Sequence, residues 1–206
     1  MWAGASQWEI AGMHPGGDPL RHLAEGLLEA GLYDRAAEDA VPQLLATLGR
    51  SQFGLVEAVR QAALPAGTNF LLVVDQFEEI FRYDEAGAAE SERANDFIAM
   101  LREACAQSGM AGYVVVTMRS DFIGDCSRFD GLAEAVNRGE YLIPRLSREQ
   151  FKSAIEGPIR VAGGRITPRL LQRLLNDVGE EQDQLPCLQH ALMRTWRVWQ
   201  GRAGAE

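Results

Sequence analysis

Three segments of the chain are apolar at nearly every position, which is the pattern of strands buried on both faces of a sheet. They are Phe70–Val74, Tyr113–Met118 and the shorter Tyr141–Ile143. A strand with one face in water alternates polar and apolar residues, so these continuous runs predict a parallel sheet that helices cover on both sides. A further strand is predicted at Trp8–Met13, followed by the turn sequence His14–Gly17.

Segments with helical periodicity and recognisable capping residues separate these strands. Asp18 and Pro19 predict a helix that ends near Ala30, because aspartate accepts hydrogen bonds from the first free amides and proline fits the first turn. Ser51 is predicted to cap another helix that ends near Ala63. Two more helices are predicted over Val41–Leu48 and over Ala88–Ala106, the second with an inner stripe of Phe97, Ile98, Leu101 and Ala104.

Only helices are predicted after Pro144. The sequence Ser147–Gln150 is a capping box, in which the side chains of the first and last residues bond each other's backbone amides, and it opens a helix to about Val161. Prolines begin two more predicted helices, at Thr167-Pro168 and at Leu185-Pro186.

The distribution of charge supports a domain boundary in this region. Residues 1–140 hold 10 basic and 22 acidic side chains, whereas residues 141–206 hold 10 basic and 7 acidic ones. Strands that alternate with helices, followed by helices alone, predict an α/β domain over residues 1–145 and an all-α domain over residues 146–206.

The composition of the 206 residues argues against several functional classes. A formal net charge of −9 disfavours a nucleic-acid partner, which needs a broadly basic surface. No apolar run approaches the roughly 20 residues of a membrane-spanning helix, so no membrane partner is expected. The three cysteines are widely spaced and include no C-x-x-C pair, which argues against a disulfide framework or zinc site and predicts a reducing, cytoplasmic location.

Acidic residues follow the most apolar of the predicted strands. Asp75 comes directly after Val74, and Glu78 and Glu79 stand close behind it. Open parallel sheets bind ligands at the carboxyl ends of their strands, where an aspartate can hold the Mg²⁺ of a nucleoside triphosphate and a second acid can orient water. The alternative is that the three acids only cap a helix at its positive end, and spacing alone does not separate these interpretations.

An arginine, Arg119, follows the next apolar strand along the chain. Because neighbouring parallel strands end at the same edge of a sheet, its guanidinium is expected at the same edge as Asp75, where it could sense a terminal phosphate. The alternative is a local ion pair with Asp121.

Several segments together resemble the novel STAND NTPase family. STAND proteins are multidomain signal-transduction ATPases, and this branch of them is commonly fused to WD repeats. These segments follow the family's order over nearly the whole chain. They are Leu71–Glu79, Val116–Phe122, Ile155–Pro158 and Asp183–Leu192. His14–Pro19 is also similar to the segment that follows the family's second strand. The resemblance implies a partial P-loop NTPase fold. Its three-layer parallel sheet would lack the first strand, and an all-α helical lid would follow.

The resemblance also implies roles for individual residues. Asp75 matches the Walker B residue that binds magnesium, and Arg119 matches the sensor arginine. Leu185 and Pro186 match the lid motif whose proline packs on the adenine ring, although a proline in the first helical turn is the simpler structural explanation.

Two departures from the family pattern concern the reaction itself. Related ATPases place the catalytic acid directly after the Walker B aspartate, where this chain has Gln76, so Glu78 or Glu79 would have to replace it. A Walker A loop, G-x-x-x-x-G-K-[ST], needs a lysine on the phosphates, and the only lysine, Lys152, stands in a predicted helix with no glycine loop before it. We therefore expect the chain to be a piece of a longer protein that starts after this loop and stops inside the lid.

The function that the resemblance implies is an ATP-driven signalling switch. In the intact protein, ATP and Mg²⁺ would control a conformational change and self-association, with effector or repeat domains of the same polypeptide as further partners. This chain alone is expected to bind ATP weakly, to hydrolyse it negligibly and to be unstable, because a sheet without its first strand exposes unpaired backbone groups. The alternatives are a non-catalytic interaction scaffold and a DNA-associated AAA-like domain.

Overall fold

The structure, a computed structural model, describes residues 7–34, 37, 39–82, 87–107, 112–177 and 184–203. The chain divides into two compact units, Met1–Leu142 and Ile143–Glu206, each with its own apolar core. Within the described ranges, no helix combines the length and the apolar character that crossing a bilayer requires.

The first unit is built on a parallel sheet, which in the described residues has three strands in the order β1–β2–β3. The strands are β1 (Gln7–Met13), β2 (Thr68–Val74) and β3 (Gly112–Val116). Val74 of the central strand stands opposite Met13 on one side and opposite Val116 on the other. All three strands therefore end at the same level, and the residues that follow them meet at one end of the sheet.

Helices follow these strands in the described residues, and the first four lie close to their predicted ranges. They are α1 (Pro19–Glu29), α2 (Ala40–Leu48), α3 (Gly54–Gln61), α4 (Ala88–Ala106) and α5 (Leu132–Gly139), with 3₁₀ helices over Phe77–Phe81 and Ser120–Arg128. The predicted cap of α1 is confirmed, because Asp18 Oδ1 accepts a hydrogen bond from the Arg21 amide at 3.2 Å. The predicted cap of α3 is wrong: Ser51 Oγ accepts from the Phe53 amide at 3.2 Å, and Phe53 itself precedes the helix.

A close approach between α1 and β1 fixes the chain that leaves β1. A Cβ atom at Gly26 would lie 2.6 Å from the carbonyl oxygen of Gly12, which is too close for any side chain. His22, also on α1, holds its Nδ1 atom 3.1 Å from the His14 carbonyl oxygen and 3.0 Å from that of Pro15. The loop after β1 therefore has a defined position against α1.

The face of the sheet opposite these contacts is largely open, contrary to the prediction that both faces are covered. On the covered face, Phe70, Leu72 and Val74 are at most 2% exposed. On the other face, Ile10, Tyr113 and Val115 are 45–55% exposed. Continuous apolar character thus marks a surface that the described residues leave uncovered, and we call it the open face. Its members are Trp8, Ile10, Leu71, Val73, Tyr113 and Val115.

The segment Tyr141–Ile143 is not a strand, so the prediction of a further strand there is wrong. Its three side chains are 85%, 64% and 80% exposed. An apolar segment forms a strand only where a neighbour offers its backbone groups, and within the described ranges β3 pairs with β2 alone. Tyr141–Ile143 has the apolar pattern of a buried strand, but no strand among the described residues pairs with it.

The second unit consists, in its described part, of α6 (Arg148–Val161), α7 (Pro168–Asp177) and α8 (Gln184–Ala203). The predicted capping box is confirmed: Ser147 Oγ accepts from the Gln150 amide at 3.3 Å, and Gln150 Oε1 accepts from the Ser147 amide at 2.8 Å. Ile155, Leu171, Leu175 and Leu188 form the core between the helices. Lys152 lies exposed within α6.

Candidate functional site

The candidate site lies at the end of the sheet where β2 and β3 stop. The Asp75 amide donates to the Met13 carbonyl at 2.9 Å, and the Thr117 amide donates to the Val74 carbonyl at 3.0 Å. These bonds continue the sheet pairing beyond the last strand residues and place Asp75 and Thr117 next to each other. Because the strands are parallel, Arg119 also leaves the sheet at the end that carries Asp75.

The two carboxylate oxygens of Asp75 have different surroundings. Oδ1 accepts a hydrogen bond from the Thr117 hydroxyl. Oδ2 lies 3.9 Å from Nδ1 of His14, and the two side chains form an ion pair only when the imidazole is protonated. The Asp75 side chain is 50% exposed, so a ligand in solution can reach this carboxylate.

Gln76 turns the chain out of the sheet in a left-handed conformation, with φ 55° and ψ 47°. Such a conformation costs a residue with a side chain roughly 1–2 kcal/mol. Its amide donates to Thr117 Oγ1 at 3.1 Å, and the Phe77 amide donates to the Thr117 carbonyl at 2.9 Å. These bonds hold the turn, and the 3₁₀ helix that follows buries Phe77, Ile80 and Phe81.

The two candidate acids, Glu78 and Glu79, lie on this 3₁₀ helix in different environments. Glu79 Oε2 accepts a hydrogen bond from the Gly16 amide at 2.9 Å, which ties the helix to the loop after β1. Glu78 Oε2 is buried and has no hydrogen-bond partner among the described residues. The geometry thus distinguishes two residues that the sequence leaves equivalent.

Arg119 forms a two-point ion pair with Asp121, which is the alternative that the sequence leaves open. Nε lies 3.1 Å from Oδ1 and Nη2 lies 2.9 Å from Oδ2, and the guanidinium also stands 5.9 Å from the centre of the Phe122 ring. The hydrogen bond from Arg119 lowers the pKa of the Asp121 carboxyl below its usual value. A phosphate would use the same two donors, because guanidinium binds carboxylates and phosphates with the same fork geometry.

Leu185 and Pro186 belong to the second unit, whereas the four other predicted site residues share the end of the sheet in the first. Both lie in the first turn of α8, and both are exposed. A proline fits a first helical turn without any ligand, because its φ angle is already helical and the amide hydrogen that it lacks would have no partner there. Their apolar side chains nevertheless remain available for contact with a flat apolar ring.

The structure adds three residues to the site that the sequence analysis missed: His14, Gly16 and Thr117. Thr117 directly follows β3, as Asp75 directly follows β2, so comparing the two strand ends could have revealed it. His14 likewise follows β1 directly. The role of Gly16 had no signal in the sequence, because any residue except proline carries the amide that Glu79 binds.

The donor set suits a magnesium ion that is bound mainly through water and phosphate. In the described ranges, no group of three or more histidine, cysteine, aspartate or glutamate side chains is arranged to hold a metal ion by itself. Mg²⁺ commonly takes one or two carboxylates, keeps several waters and draws its other ligands from phosphates. One accessible carboxylate oxygen on Asp75 meets that requirement.

A comparison with known proteins assigns the family. No curated protein and no solved structure is similar enough to this chain to count as a match. The family model described as Novel STAND NTPase 1 matches residues 1–205, almost the entire chain. On this match, the resemblance carried by the strand-end motifs is confirmed. The chain belongs to the Novel STAND NTPase 1 family.

Proposed function

We propose that the chain forms part of an ATP-dependent signalling switch in which Asp75 holds Mg²⁺ and Arg119 contacts the terminal phosphate. The observation that carries this proposal is the position of both residues after neighbouring parallel strands, at one end of the sheet. Open α/β sheets bind their ligands at this end. Membership of an NTPase family supports a nucleotide as the ligand.

The residues at the end of the sheet divide the chemistry of phosphoryl transfer among them. When bound, Mg²⁺ would neutralise charge on the phosphates. Asp75 would hold it through Oδ2, since Oδ1 accepts the hydrogen bond from the Thr117 hydroxyl. Arg119 exchanges the carboxylate of Asp121 for oxygens of the terminal phosphate, so the guanidinium keeps a two-point partner throughout.

We assign activation of the attacking water to Glu78 rather than Glu79. Glu79 accepts a hydrogen bond from the Gly16 amide and serves to hold the 3₁₀ helix against the loop after β1. Glu78 has a buried oxygen without a hydrogen-bond partner in the described structure, and such an oxygen costs free energy unless a ligand or water satisfies it. A water bound there would be oriented by the carboxylate that later accepts its proton.

The remaining parts of the nucleotide site are assigned to other segments. The only lysine of this chain lies in α6 and has no glycine loop before it. We therefore expect another segment of the intact protein to supply the phosphate-binding glycine loop and its lysine. The open face and the exposed Tyr141–Ile143 segment support a further strand and helices that complete the sheet. Residues 1–145 would form the NTPase core, and residues 146–206 would form the beginning of a lid. Within this lid, Leu185 and Pro186 would contact adenine.

Nucleotide exchange would release or hold this lid and thereby control self-association of the intact protein. Effector domains of the same polypeptide would receive the signal, and the free thiols suit a reducing cytoplasm. This chain alone should hydrolyse ATP negligibly, because without the glycine-loop amides and lysine most of the phosphate cradle is missing.

The oligomeric state of the full-length protein, measured by sedimentation velocity in Mg²⁺–ATP and in Mg²⁺–ADP, tests the switch. We expect a larger assembly with ATP. Glu78→Gln should keep the ATP-bound assembly roughly 100-fold longer, since it removes a general base. Glu79→Gln is the matched control, because its amide oxygen still accepts from Gly16, and it should resemble the wild type.

An assembly that is identical with ATP, with ADP and without nucleotide would contradict the proposal and favour the non-catalytic scaffold. Salt-dependent binding of DNA by the full-length protein would favour the DNA-associated alternative.

A further inference from the structure

The direction of the hydrogen bond between Thr117 and Asp75 follows from a second hydrogen bond to the same hydroxyl. The Gln76 amide points at Thr117 Oγ1 from 3.1 Å, and an amide N–H can only donate. It therefore occupies a lone pair of the hydroxyl. Because a hydroxyl has a single proton, Thr117 is left to donate that proton to Asp75 Oδ1.

The backbone of Thr117 is fixed as firmly as its side chain. Its amide donates to the Val74 carbonyl at 3.0 Å, and its carbonyl accepts from the Phe77 amide at 2.9 Å. Threonine is also branched at Cβ, which restricts rotation about its first side-chain bond. The hydroxyl that meets Asp75 is therefore held in place by the ends of two strands.

From this arrangement we infer that Thr117 is a positioning residue for the metal. Its hydroxyl donates to Oδ1 of Asp75, orients the carboxylate plane and leaves Oδ2 as the oxygen that would bind Mg²⁺. The inference rests on the proposed function, because it concerns the metal that Asp75 would hold. Hydrogen-bond partners of ligating carboxylates commonly determine metal affinity in this way, by about 10- to 100-fold.

The hydroxyl is the group of Thr117 that contacts Asp75. The side chain is exposed, so replacing its hydroxyl by a methyl group opens no cavity in the core. Thr117→Val removes the hydroxyl at constant shape, and Thr117→Ser keeps it. Thr47→Val is a matched control in the same unit, because the Thr47 hydroxyl donates to the Gln43 carbonyl, within its own helix, at 3.1 Å.

The test uses the affinity of the full-length protein for Mn²⁺, measured by electron paramagnetic resonance with a non-hydrolysable ATP analogue bound. Thr117→Val should weaken Mn²⁺ binding about 10-fold or more, whereas Thr117→Ser and Thr47→Val should stay within about threefold of the wild type. In the metal-free protein, Thr117→Val should also accelerate hydrogen exchange of the Gln76 amide, because it removes the acceptor.

Wild-type Mn²⁺ affinity in Thr117→Val, with binding lost in Asp75→Asn, would overturn this inference and leave the proposed function intact. Equal weakening by serine and valine would also overturn it, because the hydroxyl would then be irrelevant. If Asp75→Asn binds Mn²⁺ as well as the wild type, the proposed function fails and this inference fails with it.

Discussion

Replacement of Arg119 by alanine in the full-length protein should lower the rate of ATP hydrolysis about 100-fold or more, with little effect on folding. Loss of one preorganised donor to developing charge commonly costs two to three orders of magnitude in rate. The effect on stability should be small, because the Arg119–Asp121 pair is exposed to solvent and such surface ion pairs contribute little. Steady-state hydrolysis and a thermal melt measure the two effects separately.

Arg128 provides the matched control for this variant. It forms a comparable short-range ion pair, with Nη1 3.3 Å from Asp125 Oδ1, on the 3₁₀ helix that follows Arg119. Arg128→Ala should therefore change hydrolysis less than about threefold, since Arg128 does not follow a strand of the sheet and a partly exposed ion pair contributes little. Equal losses in the two variants, or no loss in Arg119→Ala, would contradict the assignment of Arg119 to the terminal phosphate.

The isolated 206-residue chain should self-associate through the open face of its sheet, and charges placed there should restore a monomer. Ile10 and Val115 are about half-exposed on this face, and β3 carries neither a charged residue nor a proline to protect its edge. Each such side chain gains roughly 1.5–3 kcal/mol on full burial. Sedimentation velocity at micromolar concentrations should therefore show assemblies of the wild-type chain.

The double variant Ile10→Lys with Val115→Lys should sediment as a monomer of 22.6 kDa. Val161→Lys is the control, because Val161 is 90% exposed in the second unit and a lysine there should leave the assemblies unchanged. A wild-type chain that stays monomeric and melts cooperatively would refute the prediction, and with it the expectation that the sheet needs a further strand.

The local features that were predicted correctly have physical causes that lie within a few residues. The cap at Asp18 and the capping box at Ser147 each depend on neighbours in one turn of helix, and the buried stripe of α4 follows from helical periodicity. Coverage of a sheet face and pairing of a strand depend on distant segments. The open face and the exposed Tyr141–Ile143 segment were therefore beyond the reach of an apolar pattern.

The candidate site was predictable in part for the same reason. Strand ends gave the shared location of Asp75 and Arg119, because parallel pairing brings carboxyl ends together. The bonds that define the site join residues 42 positions apart, for Thr117 and Asp75, and 63 positions apart, for Gly16 and Glu79. No local pattern carries that information, so the different environments of Glu78 and Glu79 could not be read from the sequence.

The rate of Mg²⁺-dependent ATP hydrolysis by the full-length protein, with and without Asp75→Ala, tests the central claim most directly. Asp125→Ala, which removes a carboxylate that pairs with Arg128 on the 3₁₀ helix after β3, serves as the control. We predict a loss of roughly 1,000-fold in Asp75→Ala, equivalent to several kcal/mol of charge stabilisation, and near-wild-type rates in the control. Hydrolysis by Asp75→Ala within a few fold of the wild-type rate would contradict the assignment of Asp75 as the magnesium ligand.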